Sequence, residues 1–514
     1  MRIDANVTYH RGRNTTENRQ RTFDLASPDA QINTSSYHSL AVEEGFSTNI
    51  KAQLGFLLGK TELRASASLT YDNKKSDGES TGLYQYFQSG TTQTDRQHYH
   101  TPTHHLTAEA SVPVRHAFSQ NLSAMAKWQI TYDKNFRDEQ RHRADTLDLS
   151  NSLRRDDDTW RNAIYLEANF TQGKFSAKPM FDLTHLHEQT DYRRDNLDTL
   201  ARRNFLLVTP TLELTYRLKK QTRLSSRITY TTKRPDLIDC IGYRDDTNPL
   251  YVTMGNPDLK TAHTLSASFG FSTMLTHASQ VLNFSVDYSK HYDPIGTILH
   301  YNSQTGAYRA QKQNVMGGEH WGANLSYERD LGSSFHIRND ISEGYGLSYG
   351  IMTLVDEVTG ITYNRQHSSD FSDRLKLQYT NGPFFLFLEQ TFGWHHYTYS
   401  DATQPRQNIY NYQAAFTFSY KLKTWEFQFI PDFFLDRGYM SDAMNTNRFL
   451  CNARVIYKFL KNKASLILYA QDLFNRDTRY HSDTTATSRT EGGSSFLHHY
   501  VSLTFNYKLD AKKK

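Results

Sequence analysis

A short charged and aromatic stretch is the clearest candidate for ligand contact. It contains Tyr243, Arg244, Asp245 and Asp246, and a second tyrosine follows at Tyr251. The two tyrosines would stack on a sugar or another ring, while the charges beside them would bind a polar ligand or a metal chelate. The alternative is a hydrated rim, because charges isolated on loops usually only keep a loop solvated. The same two interpretations apply to the charge run at 154–158.

Histidines form a second group with possible chemistry. Imidazoles bind transition metals, and His98, His100, His104 and His105 would be able to converge on one ion if their segment is the edge of a loop. The pair at 395–396 cannot do so on a strand, where neighbouring side chains point to opposite faces. No cysteine or carboxylate spacing accompanies these histidines. We therefore expect solvated or interfacial histidines, with no metal and no cofactor.

The sequence shows no arrangement typical of catalysis. The chain contains no nucleophile–base arrangement, no glycine-rich phosphate loop and no zinc motif. Loop carboxylates would resemble the acids of a glycosidase, but nothing fixes their separation. Cys240 and Cys451 lie far apart and match no metal or redox spacing. The sequence therefore predicts a protein that is not an enzyme, and a membrane protease or lipase is the alternative in that class.

Composition excludes other classes. The 59 basic and 54 acidic residues leave a net charge of only +5, spread along the chain, so no nucleic-acid partner is expected. The longest apolar run is 384–388, far short of the roughly 18–20 residues of a transmembrane helix. Residues 1–20 contain no apolar segment of a signal peptide and begin directly on an alternating strand. This start fits either a cytosolic protein or the interior of a longer precursor.

Strands dominate the periodicity of the chain. Apolar residues recur at every second position in 212–218, 265–271, 282–288, 412–422 and 449–459, with polar residues between them. These segments run to roughly 10–16 residues, whereas strands of globular sheets are most often about 5–6 long. Long amphipathic strands of this kind are typical of a sheet with one apolar and one wet face.

The connections between the strands differ at the two ends. Short turns are predicted at 59–60, 219–221, 332–334, 381–383, 423–424 and 461–463. Long polar loops are predicted near 13–42, 75–102, 138–157, 192–203, 233–261, 293–319, 350–369, 400–407 and 480–495. This asymmetry is typical of outer-membrane barrels. We therefore predict an all-β fold, a transmembrane antiparallel β-barrel of about 20–22 strands, with short periplasmic turns, long extracellular loops and one domain over residues 1–514.

Bilayer chemistry supports this prediction. Without water every backbone amide must be paired within the protein, so a sheet crosses lipid only when it closes on itself. The apolar face must then point outward and the polar face inward, which accounts for charged strand residues such as Glu213 and Arg217. A soluble β-sandwich is the alternative, but it predicts shorter strands and no difference between the two ends.

Two stretches carry a family resemblance. In "SLILYAQDLFNRDTRY" (465–480) an alternating strand is followed by a short motif with Leu473, Phe474 and Asn475, and then by Tyr480. Asp472 stands at the first position of this motif, where Asn is usual. The second stretch is "KRPDLIDCIGYRDDTNPLYVTMGNPDLKTAHTLSASFGF" (233–271), whose matching positions are Arg234, Pro235, Asn248, Pro249, Gly255, Asn256, Pro257 and Leu259. Both stretches resemble TonB-dependent outer-membrane receptors, and their combination resembles the outer membrane protein β-barrel branch. Proline and asparagine at such positions usually shape the backbone, so a scaffold role is expected for them.

The resemblance implies a function and partners. Such receptors bind a scarce extracellular nutrient, such as a siderophore, vitamin, glycan or peptide, and import it with energy relayed through TonB. They carry about 22 strands and an N-terminal plug. No plug is predicted within 1–514, so the plug and a first hairpin are expected upstream, and TonB is expected as a partner only with that plug. The alternative is a passive porin or a surface-binding outer-membrane barrel. Outer-membrane lipid is an expected partner in each of these cases.

Overall fold

The computed structural model describes most of the chain. It describes all residues except 1, 25–30, 88, 144, 276–279, 303–306, 352–353, 356–362, 403–404, 440–441, 476–479, 485–487, 494–498 and 509–514. No helix among the described residues is long and apolar enough to cross a membrane. Two 3-10 helices are present in this part of the chain, at Leu237–Cys240 and Asp442–Met444.

A 23-stranded antiparallel sheet forms the wall of the molecule. Twenty of its strands pair in succession around the wall. The first nine are β1 (Arg2–Asp24), β2 (Gln31–Leu58), β3 (Thr61–Tyr86), β4 (Thr91–Ala117), β5 (Leu122–Arg143), β7 (Leu153–Gln172), β8 (Phe175–Arg194), β9 (Leu197–Lys219) and β10 (Thr222–Lys233). The other eleven are β13 (Ala262–Leu275), β14 (Gln280–Tyr292), β17 (Glu319–Leu331), β18 (Phe335–Ile351), β20 (Tyr363–Asn381), β21 (Phe384–Tyr399), β22 (Gln407–Leu422), β23 (Trp425–Arg437), β24 (Asn447–Phe459), β25 (Ala464–Gln471) and β28 (Tyr500–Tyr507).

Short strands in the connections complete this sheet and close the wall. They are β6 (Thr146–Leu147), β26 (Tyr480–Thr484) and β27 (Ser488–Gly493). β27 pairs with the end of β1, from Arg19 to Asp24, and so joins the first wall strand to the last connection. In the described part of the chain β28 pairs with β25 alone. The all-β fold, the antiparallel order and the predicted strand number are therefore confirmed.

The wall is much taller on one side than on the other. β2, β3 and β4 contain 28, 26 and 27 residues, whereas β10 contains 12. Crossing a bilayer takes only about 9–11 tilted residues, so the long strands extend well beyond it. The loop predicted near 75–102 is wrong in detail, because β3 and β4 run through most of it and turn within 87–90. The loop predicted at 192–203 likewise shrinks to the two residues 195–196 between β8 and β9.

Side chains alternate between the two faces of the wall as predicted. Apolar residues such as Trp128, Leu166 and Ile228 point outward, with exposed fractions of 50%, 47% and 46%. The opposite face carries acid–base pairs, many of them near the tight turns: Glu167 with Lys178, Glu213 with Arg227, Arg338 with Asp340, and Glu426 with Lys458. A sheet with an apolar outer face and a charged inner face fits lipid outside and water inside.

Three long connections also combine into a second, five-stranded sheet. Its strands are β11 (Arg244–Asp245), β12 (Tyr251–Met254), β15 (Ile295–Tyr301), β16 (Tyr308–Asn314) and β19 (Leu354–Val355). β12 runs parallel to β16, and β15 pairs antiparallel with β16 and parallel with β19. Loops that are distant in sequence therefore form one ordered layer at the long-loop end of the wall.

Candidate ligand-binding site at the long-loop end

The connection between β10 and β13, residues 234–261, folds against the inner face of the wall; we call it the lid loop. Leu186 and Tyr192 point inward from β8 and are each only 1% exposed, beneath buried lid-loop residues such as Leu237 and Ile241. Burial of this apolar surface holds the lid loop to β8.

An ion pair ties the start of the lid loop to the wall. The Nη2 of Arg234 lies 2.5 Å from the Oε1 of Glu188 on β8, whose side chain is 5% exposed. Asp236 and Asp157 add like charges near this carboxylate. A carboxylate so deeply buried needs a partner, so Arg234 is required for the lid loop to pack where it does.

The lid loop is fixed at two further places. Arg203 of β9 donates to the backbone carbonyls of Pro257 and Leu259, at 2.7 and 3.2 Å. Lys312 of β16 binds the carboxylate of Asp239 at 2.7 Å, and the amide of Asn256 donates to the carbonyl of Lys312 at 2.8 Å. The lid loop is thus held by the wall on one side and by β16 on the other.

A buried arginine clamps the middle of the lid loop. The Nη2 of Arg194, at the tip of β8, lies 3.2 Å from the Oδ1 of Asp245 and donates to the amide oxygen of Asn151 at 3.0 Å. Asn151 in turn donates to Asp246 at 2.9 Å. Burial would lower the pKa of Arg194, but its hydrogen bond to Tyr192 and the charge of Asp245 raise that pKa overall. Arg194 is therefore a permanent cation at this junction.

A cavity of about 410 Å³ lies beside this clamp. Such a volume falls within the range of about 300–1,000 Å³ that is typical of small-molecule sites. The lining residues are Ser150, Arg194, Asp195, Asn196, Leu197, Gly242, Tyr243, Arg244 and Asp246. They offer charges of both signs together with neutral donors and acceptors, which suits a small polar ligand.

The protonation state of Tyr243 is fixed by its surroundings. Burial, reinforced by the nearby charge of Asp239, raises the pKa of Tyr243 to about 12. The phenol therefore stays neutral at physiological pH and can donate a hydrogen bond from its hydroxyl or offer its ring face. Its ring centroid lies 6.1 Å from that of Tyr192 on the wall.

Of the five candidate ligand residues, the structure brings three together. Tyr243, Arg244 and Asp246 line the cavity, and Arg244 has a side chain that is 61% exposed. Asp245 turns to Arg194 instead and acts in the clamp. Tyr251 begins β12 opposite Tyr308 and does not line the cavity.

The family-signature residues of 233–271 shape this loop. The side chain of Asn248, which precedes Pro249, accepts from the backbone amide of Leu250 at 3.0 Å, and that of Asn256 accepts from Asp258 at 3.0 Å. A Cβ at Gly255 would lie 1.7 Å from the carbonyl oxygen of Ile241, so this close backbone approach requires glycine. Arg234, Pro257 and Leu259 supply the contacts to the wall described above, and Arg234 also donates to the carbonyl of Pro235 at 3.2 Å.

The family-signature residues of 465–480 form a tight turn at the end of β25. Asp472 and Asn475 have φ angles of 45° and 50°, and the amide of Asn475 donates to the carbonyl of Asp472 at 2.9 Å. Asp472 is 2% exposed, and its own amide donates to Asn452. Phe474 packs 5.9 Å from Phe449, and the amide of Leu473 donates to the carbonyl of Cys451. The side chain of Tyr480 lies outside the described residues.

Several residues of the site carry no signal in the sequence. Arg194, Asn151 and Glu188 are ordinary polar residues of alternating strands or polar loops, and only the fold brings them to the lid loop. Arg203 lies 54 residues from Pro257, and Lys312 lies 73 residues from Asp239, to which they are bonded. Local patterns cannot reveal such pairs.

The histidines of 98–105 lie on a strand and not at the edge of a loop. His98, His100, His104 and His105 all lie within β4, so His105 points to the opposite face from the other three. Among the described residues, no group of three or more His, Cys, Asp or Glu side chains is placed so that it could hold a metal ion.

Comparisons with known proteins identify the family. The model of the outer membrane protein beta-barrel family matches residues 58–507. No match is found among curated proteins. Similar solved structures include the copper transporter OprC, at 10% identity over 94% of this chain and 80% of that protein, with a TM-score of 0.47. Others are the siderophore receptor PirA from Pseudomonas aeruginosa (10% identity, 97% and 80% covered, TM-score 0.40) and the ferric yersiniabactin uptake receptor FyuA from Yersinia pestis (9%, 93% and 79%, TM-score 0.42).

The family places the protein in the outer membrane, with the apolar outer face of its wall against lipid. Barrels of that membrane have short periplasmic turns and longer extracellular loops, so the lid loop lies on the extracellular side. With its model covering residues 58–507, the chain belongs to the outer membrane protein beta-barrel family.

Proposed function

We propose that the chain is the barrel of a TonB-dependent uptake receptor that captures a small polar nutrient at the lid loop. The observation that carries the proposal is the lid loop itself: it folds into the extracellular mouth, is clamped by Arg194 and Glu188, and encloses the cavity beside Tyr243. A plain diffusion pore has no need of a folded, anchored layer across its mouth.

Ligand capture is the role proposed for the cavity residues. Arg244 and Asp246 offer one charge of each sign at its rim, and Tyr243 offers a neutral hydroxyl and a ring face. Siderophores, vitamins, glycans and peptides all present such mixed polar groups, so the nutrient class stays as broad as the sequence suggested. A binding role without catalysis is proposed, since the polar groups at the cavity form clamps rather than a nucleophile–base pair.

Energy coupling is proposed to come from segments outside this chain. The resemblance of Arg234–Leu259 and Leu473–Tyr480 to TonB-dependent receptors supports a plug that precedes the barrel and a contact with TonB made through that plug. The chain 1–514 is then a single barrel domain of the receptor. A passive porin with the same wall is the competing function.

Uptake measurements separate the two functions. Cells expressing the complete receptor gene would be given a mixture of siderophores, vitamins, oligosaccharides and peptides, and depletion of each compound followed by mass spectrometry. We expect one class to be depleted, and a protonophore to abolish that depletion, because TonB draws on the proton gradient. Depletion that continues with the protonophore would establish the passive porin instead.

Variants connect the uptake to the cavity. The double change Tyr243→Ala with Arg244→Ala should lower uptake at limiting nutrient about fivefold or more, since each lost polar contact contributes roughly 0.5–1.5 kcal/mol. Arg406→Ala, on the exposed connection between β21 and β22, is the matched control and should leave uptake unchanged. Equal uptake by the double variant and the control would exclude this cavity as the capture site.

A further inference from the structure

We propose that the lipid-facing surface of the wall holds a specific site for one anionic phospholipid of the periplasmic leaflet. An acyl chain of this lipid lies in a groove that crosses the strands from β4 to β10. Its phosphate lies at the end of the groove beside Lys60 and His116. The site is on the opposite face of the wall from the lid loop and does not depend on the uptake function proposed above.

A groove of about 880 Å³, lined mainly by apolar side chains, crosses the outer face of the wall. Strand register arranges its lining in two adjacent rows. Directly opposite one another in the first row are Val114, Ala126, Leu166, Phe181 and Pro210. The second row, two residues nearer to the tight turns, contains His116, Ala124, Ala168, Pro179, Leu212 and Ile228. Neighbouring strands lie about 4.7–4.9 Å apart, so a groove over β4, β5, β7, β8, β9 and β10 is about 24 Å long.

Large side chains on both sides make this surface concave. On β5, Ala124 and Ala126 lie between Leu122 and Trp128, whose side chains are 38% and 50% exposed on the same face. Ala168 continues the low surface on β7. An empty space within the hydrocarbon region loses the contacts of every atom that lines it. A flexible acyl chain is the molecule that can fill a long, narrow and apolar groove at this depth.

The groove rises from one surface of the membrane toward its middle. Ala124 is the third residue of β5 after a tight turn, whereas Ile228 is the seventh of the 12 residues of β10. Strands of such barrels tilt by about 35–45°, so a groove about 24 Å long that crosses them rises by about 15 Å. One leaflet of the roughly 30 Å hydrocarbon core has this depth. The groove therefore matches one acyl chain of the periplasmic leaflet.

The end of the groove near the tight turns carries a positive charge. The amide of Ala117 donates to the carbonyl of Lys60 at 3.1 Å, which places Lys60 beside His116. The side chain of Lys60 is exposed, and the two turns at this end, 59–60 and 118–121, contain no Asp or Glu. A lysine at the surface of a membrane attracts anionic lipid headgroups. A phosphate is therefore complementary to the end of the groove at which the acyl chain must leave the hydrocarbon region.

Native mass spectrometry tests the site. The chain, purified in detergent and freed of lipid, would be titrated separately with dipalmitoyl phosphatidylglycerol and dipalmitoyl phosphatidylethanolamine. We expect one phosphatidylglycerol per chain to bind about fivefold more tightly than phosphatidylethanolamine, as expected for the attraction of one lysine. Ala168→Phe fills the groove and should weaken binding about tenfold or more, since each excluded CH₂ group lowers the affinity about fourfold.

Matched variants elsewhere on the wall supply the controls. Ala323 of β17 lies between Trp321 and Leu325, which are 48% and 39% exposed on the outer face, and Ala323→Phe should bind lipid like the parent. Lys60→Gln should remove the roughly fivefold preference for phosphatidylglycerol. Lys423→Gln, at the tight turn between β22 and β23, should keep that preference.

Folding of each variant is checked by heat-modifiable migration on gels, and Ala168→Leu replaces Ala168→Phe if the latter fails this check. Unchanged affinity in the folded Ala168 variant would overturn the proposal, as would an equal loss in Ala323→Phe. Equal binding of the two lipids by the parent would overturn the anionic headgroup. A dimer of the parent that Ala168→Phe abolishes would assign the groove to a second copy of the chain instead.

Discussion

Arg234 reaches Glu188 across the inner face of the wall, with 2.5 Å between Nη2 and Oε1. One residue begins the lid loop and the other lies 46 positions earlier in the chain, on β8. Their ion pair is buried, so it decides where the lid loop enters the mouth of the barrel. In the sequence, Arg234 and Pro235 indicate only a family resemblance. In the structure, Arg234 makes a defined contact with Glu188.

Removal of either partner should release the lid loop. Arg234→Met leaves the carboxylate of Glu188 buried without its cation, a change that costs about 3–5 kcal/mol in comparable sites. We expect faster hydrogen exchange at residues 237–260, while exchange in the membrane-spanning strands stays slow. Mass-spectrometric hydrogen exchange in detergent measures both regions in one experiment.

An exposed pair of the same chemistry is the control. Arg227 binds Glu213 at 3.1 Å with side chains that are 57% and 35% exposed, and exposed pairs contribute about 0–1 kcal/mol. Arg227→Met should therefore leave exchange of the lid loop unchanged. If Arg234→Met behaves in the same way, the buried pair does not hold the lid loop.

Two glycines of the lid loop should respond in opposite ways to the same substitution. A Cβ at Gly255 would overlap the carbonyl oxygen of Ile241, whereas a Cβ at Gly242 would meet nothing within 4 Å. Gly255→Ala must push these two backbone segments apart, at a cost of about 1–3 kcal/mol or more. Limited proteolysis should cleave the lid loop faster in Gly255→Ala than in the parent. Equal protection of Gly255→Ala and Gly242→Ala would contradict the close approach.

Acidification should open the clamp through Asp245. Burial alone would raise the pKa of this carboxyl, but hydrogen bonds from Thr247 and the charge of Arg194 outweigh burial and lower it from its ordinary value of 3.8. A lowered pKa in the folded state means that the stabilisation is complete above the ordinary value and is lost as pH falls through the lowered value. We expect protection of the lid loop to persist at pH 5 and to fall below about pH 3.8.

Asp245→Asn isolates this titration. The amide keeps the shape of the side chain but has no charge to gain or lose, so its lid loop should be less protected at neutral pH and should change less between pH 5 and pH 3. A pH profile identical to that of the parent would assign the acid response to another carboxylate, such as Glu188.

Strand periodicity predicts the membrane-spanning wall, and the reason is physical. Lipid outside and water inside impose a strict alternation of apolar and polar side chains. Segments such as 412–422, which belongs to β22, can therefore be recognised as strands from the sequence. Above the membrane both faces of a strand meet water, and this constraint disappears. The extracellular parts of β3 and β4 are therefore polar on both faces, which is why the sequence pattern predicts a loop at 75–102.

The candidate site was predictable only in part for a similar reason. Tyr243, Arg244 and Asp246 are conspicuous because they are adjacent in the chain, and the structure places all three at the cavity. Their supports come from strands far away: Arg194 holds Asp245, and Arg203 holds the carbonyl of Pro257. Pairings of this kind depend on which strands become neighbours in the closed sheet, which local periodicity does not encode.

The two faces of β10 should differ sharply in their tolerance of charge. Ile228 points to lipid and is 46% exposed, and its neighbour Thr229 points inward toward Thr211. Both lie near the middle of a 12-residue strand, so Ile228→Arg places a cation close to the bilayer midplane, at a cost of about 2–4 kcal/mol. Thr229→Arg places the same charge in the wet interior and should cost little. Folding into lipid vesicles in a urea series, followed by heat-modifiable migration, gives the two stabilities directly. A loss in Thr229→Arg as large as in Ile228→Arg would show that the inner face of β10 is not wet.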